Sequence, residues 1–384
     1  MYNAPFSQEY DVLVAGARCA GASTAMLLAR AGMKVLVVDP LPPGRDALST
    51  HALMRGAVGQ LHRWRLLDAV RKAGTPAVRT TTFDYGDDVV SIPIRSQDGV
   101  DALYAPRRTV LDPLLEEAAV RAGATVRRGW SVTGLLHDTG GRVNGATISN
   151  RDSGTRQIRA RWVVGADGAR SRVARLVGAP VTRRARHSTA TLYGYWPGLG
   201  EDDFRWIFRP GRGLGLIPTN EGEICVFISM PPERFASIRP GTPLDRLLEV
   251  VREAVPELAD RLAGTPPRGS IRGFAGLRGF LRQPVGPGWA LVGDSGYFRD
   301  PLTAHGITDA LRDAELLSRA LIQGGTEALD DYRYLRDAAA DRLFTVTDAI
   351  ASLGWSMDEV RELHHALARA MKDGVLTLGE RSAA

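Results

Sequence analysis

A glycine-bearing turn between an apolar strand and a helix constrains this chain most. Residues 10–16 (YDVLVAG) form a compact apolar run typical of a buried parallel strand, and the Ala and Leu residues of 20–31 are spaced for a helix. The turn Gly16-Ala17-Arg18-Cys19-Ala20-Gly21 joins them. A dinucleotide-binding turn needs glycine for the tight turn, for close approach of a pyrophosphate and for helix–strand packing. The first and third glycines are present here.

Arg18 stands where the second glycine is expected. Its Cβ holds a phosphate slightly away, but the start of the helix still offers free N–H groups and the positive end of the helix dipole to an anion. The sequence therefore predicts a nucleotide contact at the start of this helix. The residues predicted to form it are Gly16, Ala17, Arg18, Gly21 and Ala22.

An acidic residue closes the second strand of the same βαβ unit. Residues 34–38 (KVLVV) form that strand, and Asp39 follows eighteen residues after Gly21. An acidic residue at this point accepts hydrogen bonds from a ribose hydroxyl and repels a 2′-phosphate. FAD or NAD is therefore favoured over a nucleotide with a 2′-phosphate.

Composition limits the remaining classes. Hydrophobic residues make up 44% and charged residues 24%, as in globular proteins, and two cysteines are too few for a disulfide framework or a cysteine-based zinc site. The net charge of +6 is spread along the chain with no run of four basic residues, which argues against nucleic-acid binding. Residues 1–8 show no secretory signal and no apolar stretch approaches the roughly 20 residues of a membrane span, so we expect a cytoplasmic protein. No metal-ligand cluster is convincing.

The order of strand-like and helix-like segments predicts an α/β fold with a discontinuous nucleotide-binding domain. A Rossmann-like domain that binds FAD or NAD is expected from residues 1–75, 106–180 and 273–345. An interleaved antiparallel-sheet substrate domain is expected from 76–105 and 181–272, and a C-terminal helical segment from 346–384. Single helices are predicted near 53–73 and 243–262, helical spacing continues to about 371, and separate strands are predicted at 157–159 and 162–166.

Two further motifs follow strands later in the chain. The first is Asp167-Gly168 after the apolar run 162–166. The second begins at Gly293-Asp294 and continues with Pro301 and Gly306. With the first turn, these ordered motifs resemble the FAD-dependent aromatic hydroxylases, the group A flavoprotein monooxygenases with the p-hydroxybenzoate hydroxylase fold. Geranylgeranyl reductases and flavin-dependent halogenases share that fold.

The resemblance implies FAD-binding roles for several residues. Asp167 matches a motif linked with FAD and nicotinamide binding, and Asp294 matches a carboxylate that hydrogen-bonds the ribityl chain. Backbone N–H groups of Gly306 and Ile307, after Pro301, are expected to face the flavin O2 and stabilise the reduced ring. Ala304 replaces the first glycine of that motif. Three further matches to flavin-contacting positions are Arg45, Arg108 and Val132.

The resemblance also implies the reaction. In such a hydroxylase NAD(P)H transiently docks and reduces FAD, molecular oxygen forms a flavin hydroperoxide, and an oxygen atom passes to a small aromatic or polycyclic substrate by hydroxylation or epoxidation. Two histidines are candidates for a chemical role: His51, which follows Arg45, and His305, within the flavin-facing turn. An imidazole near its ordinary pKa of about 6.5 suits proton transfer at neutral pH. Ordinary packing is the alternative for each.

Aromatic residues alternate along two predicted strands of the substrate domain. In the fold that the chain resembles, these strands roof the substrate cavity, and such cavities are mostly apolar and aromatic. The predicted substrate contacts are Tyr193, Tyr195, Trp206 and Phe208, with plain sheet packing as the alternative.

Other functions stay open within the same resemblance. A C=C reductase like the geranylgeranyl reductases is the main one. A halogenase is disfavoured, because residues 213–218 (GLGLIP) keep only the Ile-Pro of that branch's Trp-x-Trp-x-Ile-Pro and none of Lys34, Lys72 and Lys372 is placed like an active-site lysine. A flavin-binding protein without turnover is the fourth reading, favoured by Arg18 and Ala304.

Overall fold

The computed structural model describes residues 6–7, 9–237 and 241–379. The prediction that no secretory signal is present concerns residues 1–8, and most of these lie outside the described residues. Residues 380–384, the end of the predicted C-terminal segment, also lie outside them. Among the described helices, none has the combination of length and apolarity that crossing a membrane requires.

Strands and helices alternate along most of the chain. In chain order the strands are β1 (Glu9–Ala15), β2 (Val35–Asp39), β3 (Thr80–Asp84), β4 (Val89–Pro93), β5 (Thr125–Arg128), β6 (Ser131–His137), β7 (Val143–Asn150), β8 (Gly154–Gly165), β9 (Val181–Arg184), β10 (Ala190–Pro197), β11 (Phe204–Arg209), β12 (Arg212–Pro218), β13 (Glu223–Met230), β14 (Arg268–Phe274), β15 (Phe280–Arg282), β16 (Val285–Gly286), β17 (Trp289–Leu291) and β18 (Tyr297–Phe298). The helices are α1 (Cys19–Arg30), α2 (Arg55–Arg63), α3 (Leu67–Lys72), α4 (Arg108–Arg121), α5 (Arg172–Leu176), α6 (Pro232–Ser237), α7 (Pro243–Ala254), α8 (Pro256–Gly264), α9 (Gly306–Gln323), α10 (Gly325–Ile350) and α11 (Met357–Gly379). Short 3-10 turns cover Asn220–Gly222, Gly293–Ser295 and Pro301–Thr303.

The first sheet is the parallel one that the βαβ pattern predicts. Its strand order is β16-β17-β8-β1-β2-β5, parallel except between β16 and β17, and β6 and β7 extend it as an antiparallel meander from β8. Val14 on the central strand pairs with Val37 on one side and Val164 on the other. The chain thus leaves β1 towards β2 while β8 lies on the opposite side, which creates a crevice at the carboxyl ends of the strands.

The second sheet packs against the same core as the first. Its order is β14-β10-β13-β12-β11-β3-β4, antiparallel except between β3 and β11. One face packs on α7 and α8 through residues such as Trp196 and Leu247. The other face carries Tyr193, Phe208 and Phe227, which belong to the same core as β1 and α1. The predicted α/β fold with an added antiparallel sheet and C-terminal helices is therefore confirmed.

Several element boundaries differ from the predictions for local reasons. The helix predicted over 53–73 is two helices, because Arg65 takes a φ of 62° between α2 and α3. Pro256 separates α7 from α8, since proline lacks the N–H that a continuous helix needs. The helical spacing that continued to about 371 is likewise divided between α10 and α11.

The strands predicted at 157–159 and 162–166 are one strand, β8. Its first half pairs with β7 and its second half with β1, so one strand passes from the meander into the parallel sheet. Strand β9, which the predicted boundaries place in the substrate domain, pairs with β15 in a third, small sheet with β18. The division into domains stays a prediction.

The two ends of α1 offer a matched test of this packing. Gly16 and Gly32 both have positive φ, 107° and 84°. A Cβ on Gly16 would lie 2.3 Å from the carbonyl oxygen of Ala166, whereas a Cβ on Gly32 meets no atom within 4 Å. We expect Gly32→Ala to lower the free energy of unfolding by about 1–2 kcal/mol from backbone strain alone. We expect Gly16→Ala to lower it by roughly 3 kcal/mol or more, because overpacking adds to that strain. Urea unfolding of both variants measures the difference, and equal losses would contradict the close packing of strand and helix.

Candidate functional site

The start of α1 is left without a side-chain cap. Arg18 is its N-cap residue and makes no capping hydrogen bond, so the N–H groups of the first turn have no side-chain acceptor. The Cβ that Gly21 lacks would lie 1.9 Å from the carbonyl oxygen of Gly16, which brings α1 directly against the turn. Cys19 and Ala20 of this first turn line a cavity. This end of the helix can therefore meet an anion.

Asp39 lies beside this turn at the end of β2. Its Oδ2 accepts a hydrogen bond from the Ala17 N–H at 2.9 Å, and its Oδ1 accepts one from the Leu41 N–H at 2.8 Å. Arg128 pairs with Oδ1 at 3.3 Å. The carboxylate is thus held in one orientation on the cavity wall, and its Oδ2 retains a lone pair for a further donor.

A basic group follows β8 on the same wall. Asp167 accepts hydrogen bonds from Ser171 Oγ at 2.5 Å and from the Arg172 N–H at 2.6 Å, which fixes the start of α5. The Arg172 guanidinium donates to the carbonyl oxygen of Val132 at 3.4 Å. Three arginines of this segment line the cavity: Arg170, Arg172 and Arg175.

The third motif forms the opposite wall. Asp294 lies in the 3-10 turn after β17, and burial raises the pKa of its carboxyl to about 7 despite the opposing charge of Arg108. Ala304 adopts the left-handed backbone conformation, with a φ of 51°. The alanine therefore has a conformation that favours glycine, the residue that the family has at this position. The first turn of α9, beginning at Gly306, again has no side-chain cap.

One cavity of about 620 Å³ connects these walls. It is the size of an ordinary ligand site. The predicted site residues that line it are Gly16, Arg18, Asp39, His51, Arg108, Val132, Asp167, Asp294, Pro301, Gly306 and Ile307. The predicted residues outside its lining are Ala17, Gly21, Ala22, Arg45, His305, Tyr193, Tyr195, Trp206 and Phe208.

The residues outside the lining differ in their surroundings. Ala17 and Ala22 are buried just beneath the wall, whereas Arg45 is exposed on the loop after β2. Trp206 packs edge-on against Phe227 at a centroid distance of 5.7 Å, and Phe208 contacts His364 of α11 at 4.2 Å. These aromatic side chains fill the space between the second sheet and the rest of the core, and their contact with a substrate stays a prediction.

His51 is buried yet contributes to the cavity wall. Its backbone has a φ of 66°, its Nε2 is hydrogen-bonded to the Tyr195 hydroxyl, and its Nδ1 has no hydrogen-bond partner among the described residues. Burial, together with the positive charges of Arg108, Arg107 and Arg272, holds the pKa of the imidazole well below its ordinary value. The ring is therefore neutral at pH 7.

Aromatic and charged side chains around Tyr195 hold His51 in place. The Arg107 guanidinium lies 3.5 Å from the centre of the Tyr195 ring. Arg107 also pairs with Glu223 at 2.6 Å and with Asp46 at 3.3 Å. These contacts fix the Tyr195 hydroxyl and, through it, the imidazole of His51.

His305 faces a different environment. Its Nδ1 is hydrogen-bonded to the carbonyl oxygen of Thr303 at 2.5 Å, and its Nε2 has no partner among the described residues. Burial, then the nearby charge of Arg299, lowers the pKa of the imidazole to about 3. His305 does not line the cavity, and its chemical role stays a prediction.

Residues that the motifs did not reveal also line the cavity. They include Leu48, Ser49 and Thr50 on the loop before His51, Trp130 beside Val132, and Phe298 and Arg299 after β18. The last two lie between Asp294 and Pro301, so their position in the sequence was a usable signal. The described residues contain no group of three or more His, Cys, Asp or Glu side chains that could hold a metal ion.

The comparisons with known proteins agree with this geometry. A model of the FAD binding domain family matches residues 9–347. The chain belongs to that family. The predicted resemblance is thereby confirmed, FAD is the cofactor, and the chain is an FAD-dependent oxidoreductase.

Several curated proteins are similar to this chain over most of its length. A menaquinone reductase of Mycolicibacterium smegmatis is 29% identical over 82% of this chain and 77% of its own length. A 6-methylpretetramide 4-monooxygenase of Streptomyces rimosus is 28% identical over 86% of this chain and 80% of its own. A digeranylgeranylglycerophospholipid reductase of Methanopyrus kandleri is 28% identical over 79% and 78%.

Solved structures share the fold over nearly the whole chain. A flavin-dependent brominase has a TM-score of 0.76 at 19% identity and covers 93% of this chain and 94% of its own. A probable FAD-dependent monooxygenase from Pseudomonas aeruginosa has a TM-score of 0.75 at 21% identity, with coverage of 95% and 100%. At these identities the likeness concerns the fold.

The cavity fits FAD on physical grounds. Two helices, α1 and α9, direct uncapped N-terminal turns at one cavity, where N–H groups and the helix dipoles favour negatively charged groups. Asp39 offers a carboxylate lone pair on Oδ2 beside the first of these turns, as a ribose hydroxyl requires.

Asp294 gives this site a pH dependence that can be measured without FAD. Its pKa of about 7 lies above the roughly 3.9 of an unfolded aspartate, so between these values the folded protein binds one more proton than the unfolded chain. This contribution therefore stabilises the fold at low pH and is lost as the pH rises towards 7. We expect the free energy of unfolding of the FAD-free protein to fall by on the order of 1–2 kcal/mol between pH 5 and 7.5, relative to an Asp294→Asn variant. Parallel pH dependences in the two proteins, measured by urea unfolding, would contradict the raised pKa.

Proposed function

We propose that this chain is an FAD-dependent monooxygenase that uses NAD(P)H and O2 to hydroxylate or epoxidise a small aromatic or polycyclic substrate. In the overall hydroxylation, substrate, O2, NAD(P)H and one proton give hydroxylated substrate, water and NAD(P)+. Bound FAD supplies the chemistry of accepting a hydride from NAD(P)H and activating O2. The chain itself binds, orients and shields these reactants.

The residues that would hold FAD are distributed over both walls. The first turn of α1 with Arg18 would bind the pyrophosphate, and Asp39 would bind a ribose. The first turn of α9, from Gly306, offers N–H groups to negative charge on the reduced ring. A monooxygenase also needs water to be excluded from its reaction with oxygen, and the buried side chain of His51 on the cavity wall would contribute to this exclusion.

The observation that carries the proposal is the environment of His51. In the tautomer in which Nε2–H donates to the Tyr195 oxygen, Nδ1 is left as a hydrogen-bond acceptor. A neutral acceptor in a ligand cavity suits a phenolic O–H, because drawing off its proton raises the electron density of the ring to be oxygenated. An isolated C=C bond of a lipid presents no such proton.

A reductase of C=C bonds is the second candidate. It is favoured by the identity of about 28–29% to proteins named menaquinone reductase and digeranylgeranylglycerophospholipid reductase. A halogenase has less support, because Lys34, Lys72 and Lys372 are all exposed and none lines the cavity.

Isotope labelling distinguishes the two leading candidates. With FAD, NADPH or NADH, and a panel of phenols and polycyclic aromatics under ¹⁸O2, we expect one substrate class to gain a single ¹⁸O atom by mass spectrometry. Two added hydrogen atoms without oxygen would establish the reductase instead. The same incubation with quinones and isoprenoids is the matched comparison.

Replacement of His51 tests its part in this reaction. Asn tolerates positive φ better than most residues, so His51→Asn keeps the backbone while removing the imidazole. We expect turnover to fall by about 10²-fold or more, as for loss of a proton-handling group, while FAD content stays unchanged. The exposed His365 on α11 supplies the control, His365→Asn, which is expected to retain full turnover. Unchanged turnover in His51→Asn would remove this residue from the mechanism.

A further inference from the structure

A buried arginine on the cavity wall lacks partners for most of its donors. Arg299 lies between β18 and the turn Pro301–Thr303, and only 3% of its side chain is exposed although it contributes to the lining of the cavity. Its Nη2 pairs with Asp309 Oδ2 at 2.6 Å. Its Nε and Nη1 have no hydrogen-bond partner among the described residues.

This arrangement is unusual for a buried guanidinium. Arginine carries five N–H donors that cannot be removed by deprotonation, and a buried charge is stable only when it is paired and hydrogen-bonded. Nearby, Arg336 satisfies this requirement through Asp337 and the carbonyl oxygens of Gly296 and Arg282. Arg299 does not, because among the described residues its ion-pair partner is Asp309 and its Nε and Nη1 have no hydrogen-bond partner.

The acidic partner of Arg299 is also shared. Asp309 pairs with Arg312 through Oδ1 at 2.9 Å, while its Oδ2 pairs with Arg299. Arg312 has a second carboxylate, Asp313, at 3.0 Å. One carboxylate therefore serves two guanidinium groups. Among the described residues, Arg312 has a second carboxylate within ion-pair distance, whereas the further acid that senses the charge of Arg299 is Asp294, with no ion pair between them.

The neighbouring wall is aromatic. Phe298 precedes Arg299 and lines the same cavity, and its ring is supported by Phe280 at a centroid distance of 5.9 Å and by Phe274 at 6.5 Å. An apolar ring surface next to unsatisfied N–H donors matches an aromatic ligand that carries a negatively charged oxygen.

We propose that Arg299 binds an anionic oxygen, a carboxylate or phenolate, on the aromatic ligand of this cavity, an assignment that rests on the proposed function and specifies its substrate class. The bond is a charge-assisted one to a guanidinium that is buried, so it contributes strongly to the choice between anionic and neutral ligands. An oxygen of FAD itself is the other source of this chemistry, and affinity for FAD distinguishes the two.

The test compares two ligands of the same shape in the oxidised, FAD-loaded protein. Benzoate and its neutral analogue benzamide are titrated while the flavin absorbance reports their binding. We expect benzoate to bind the natural protein at least about tenfold more tightly than benzamide, as for a hydrogen bond between charged groups. Arg299→Met is expected to remove this preference, and Arg299→Lys to restore part of it.

Two controls accompany these titrations. FAD affinity of Arg299→Met, measured by flavin fluorescence, is expected to stay within about twofold of the natural value, which also verifies folding. Arg278, exposed and outside the cavity lining, supplies a variant with the same loss of charge, Arg278→Met, in which the preference for benzoate is expected to persist.

Three outcomes would overturn the assignment. The first is an equal affinity of the natural protein for benzoate and benzamide. The second is an unchanged preference for benzoate in Arg299→Met. The third is a loss of FAD affinity in both Arg299→Met and Arg299→Lys, which would make FAD the partner of this guanidinium. The titrations use neither NAD(P)H nor turnover. A failure to incorporate oxygen therefore refutes the monooxygenase without altering these results, and the reverse holds as well.

Discussion

The close contact between α1 and the carboxyl ends of β1 and β8 is the constraint on which the rest of the structure depends. Gly16 turns the chain with a φ of 107° directly under the carbonyl oxygen of Ala166, and Gly21 leaves room for the carbonyl oxygen of Gly16. A side chain at either glycine would push the helix away. Because the helix lies so close, its first N–H groups open at the point where the strand order diverges, and Asp39 is fixed there by the Ala17 N–H.

Buried charge organises the walls of the cavity around that point. Arg108 binds Asp112 through Nε and Nη2 at 2.7–3.0 Å, while Cys19 donates to the same carboxylate. Such an ion pair holds its members rigidly only when the remaining donors and acceptors are satisfied. Nδ1 of His51 and Nε and Nη1 of Arg299 have no hydrogen-bond partner among the described residues, and both side chains line the cavity, which is why we propose them as ligand contacts.

Local sequence patterns predicted the elements that depend on neighbouring residues. The βαβ unit, the strand before Asp167 and the helix from Gly306 were all predictable, because strand periodicity and turn glycines act over a few residues. The break at Arg65 was not, since the positive φ of an arginine there carries no sequence signal. Continuity of β8 was missed because its two halves have different partners, β7 and β1, and pairing is a long-range property.

In the candidate site, too, local motifs were predictable and long-range contacts were not. Gly16, Asp39, Asp294 and Gly306 belong to spaced motifs and line the cavity as expected from strand ends. The hydrogen bond between His51 and Tyr195 joins residues 144 positions apart, so only the fold brings them together. The alternation of aromatic residues along the strands predicted an aromatic face on the second sheet. Phe208 on that face packs against Trp355 and against His364 of α11, and no local pattern predicts this contact.

The fate of reduced flavin in the absence of oxygen tests the proposed function most directly. The FAD-loaded protein would be reduced with one equivalent of NAD(P)H under anaerobic conditions and mixed with each ligand class while the absorbance near 450 nm is followed. A monooxygenase predicts that the flavin stays reduced with every aromatic ligand until O2 is admitted, and then reoxidises with formation of hydroxylated product. Reoxidation by a quinone or isoprenoid before O2 is admitted, with two hydrogen atoms gained by that ligand, would contradict it.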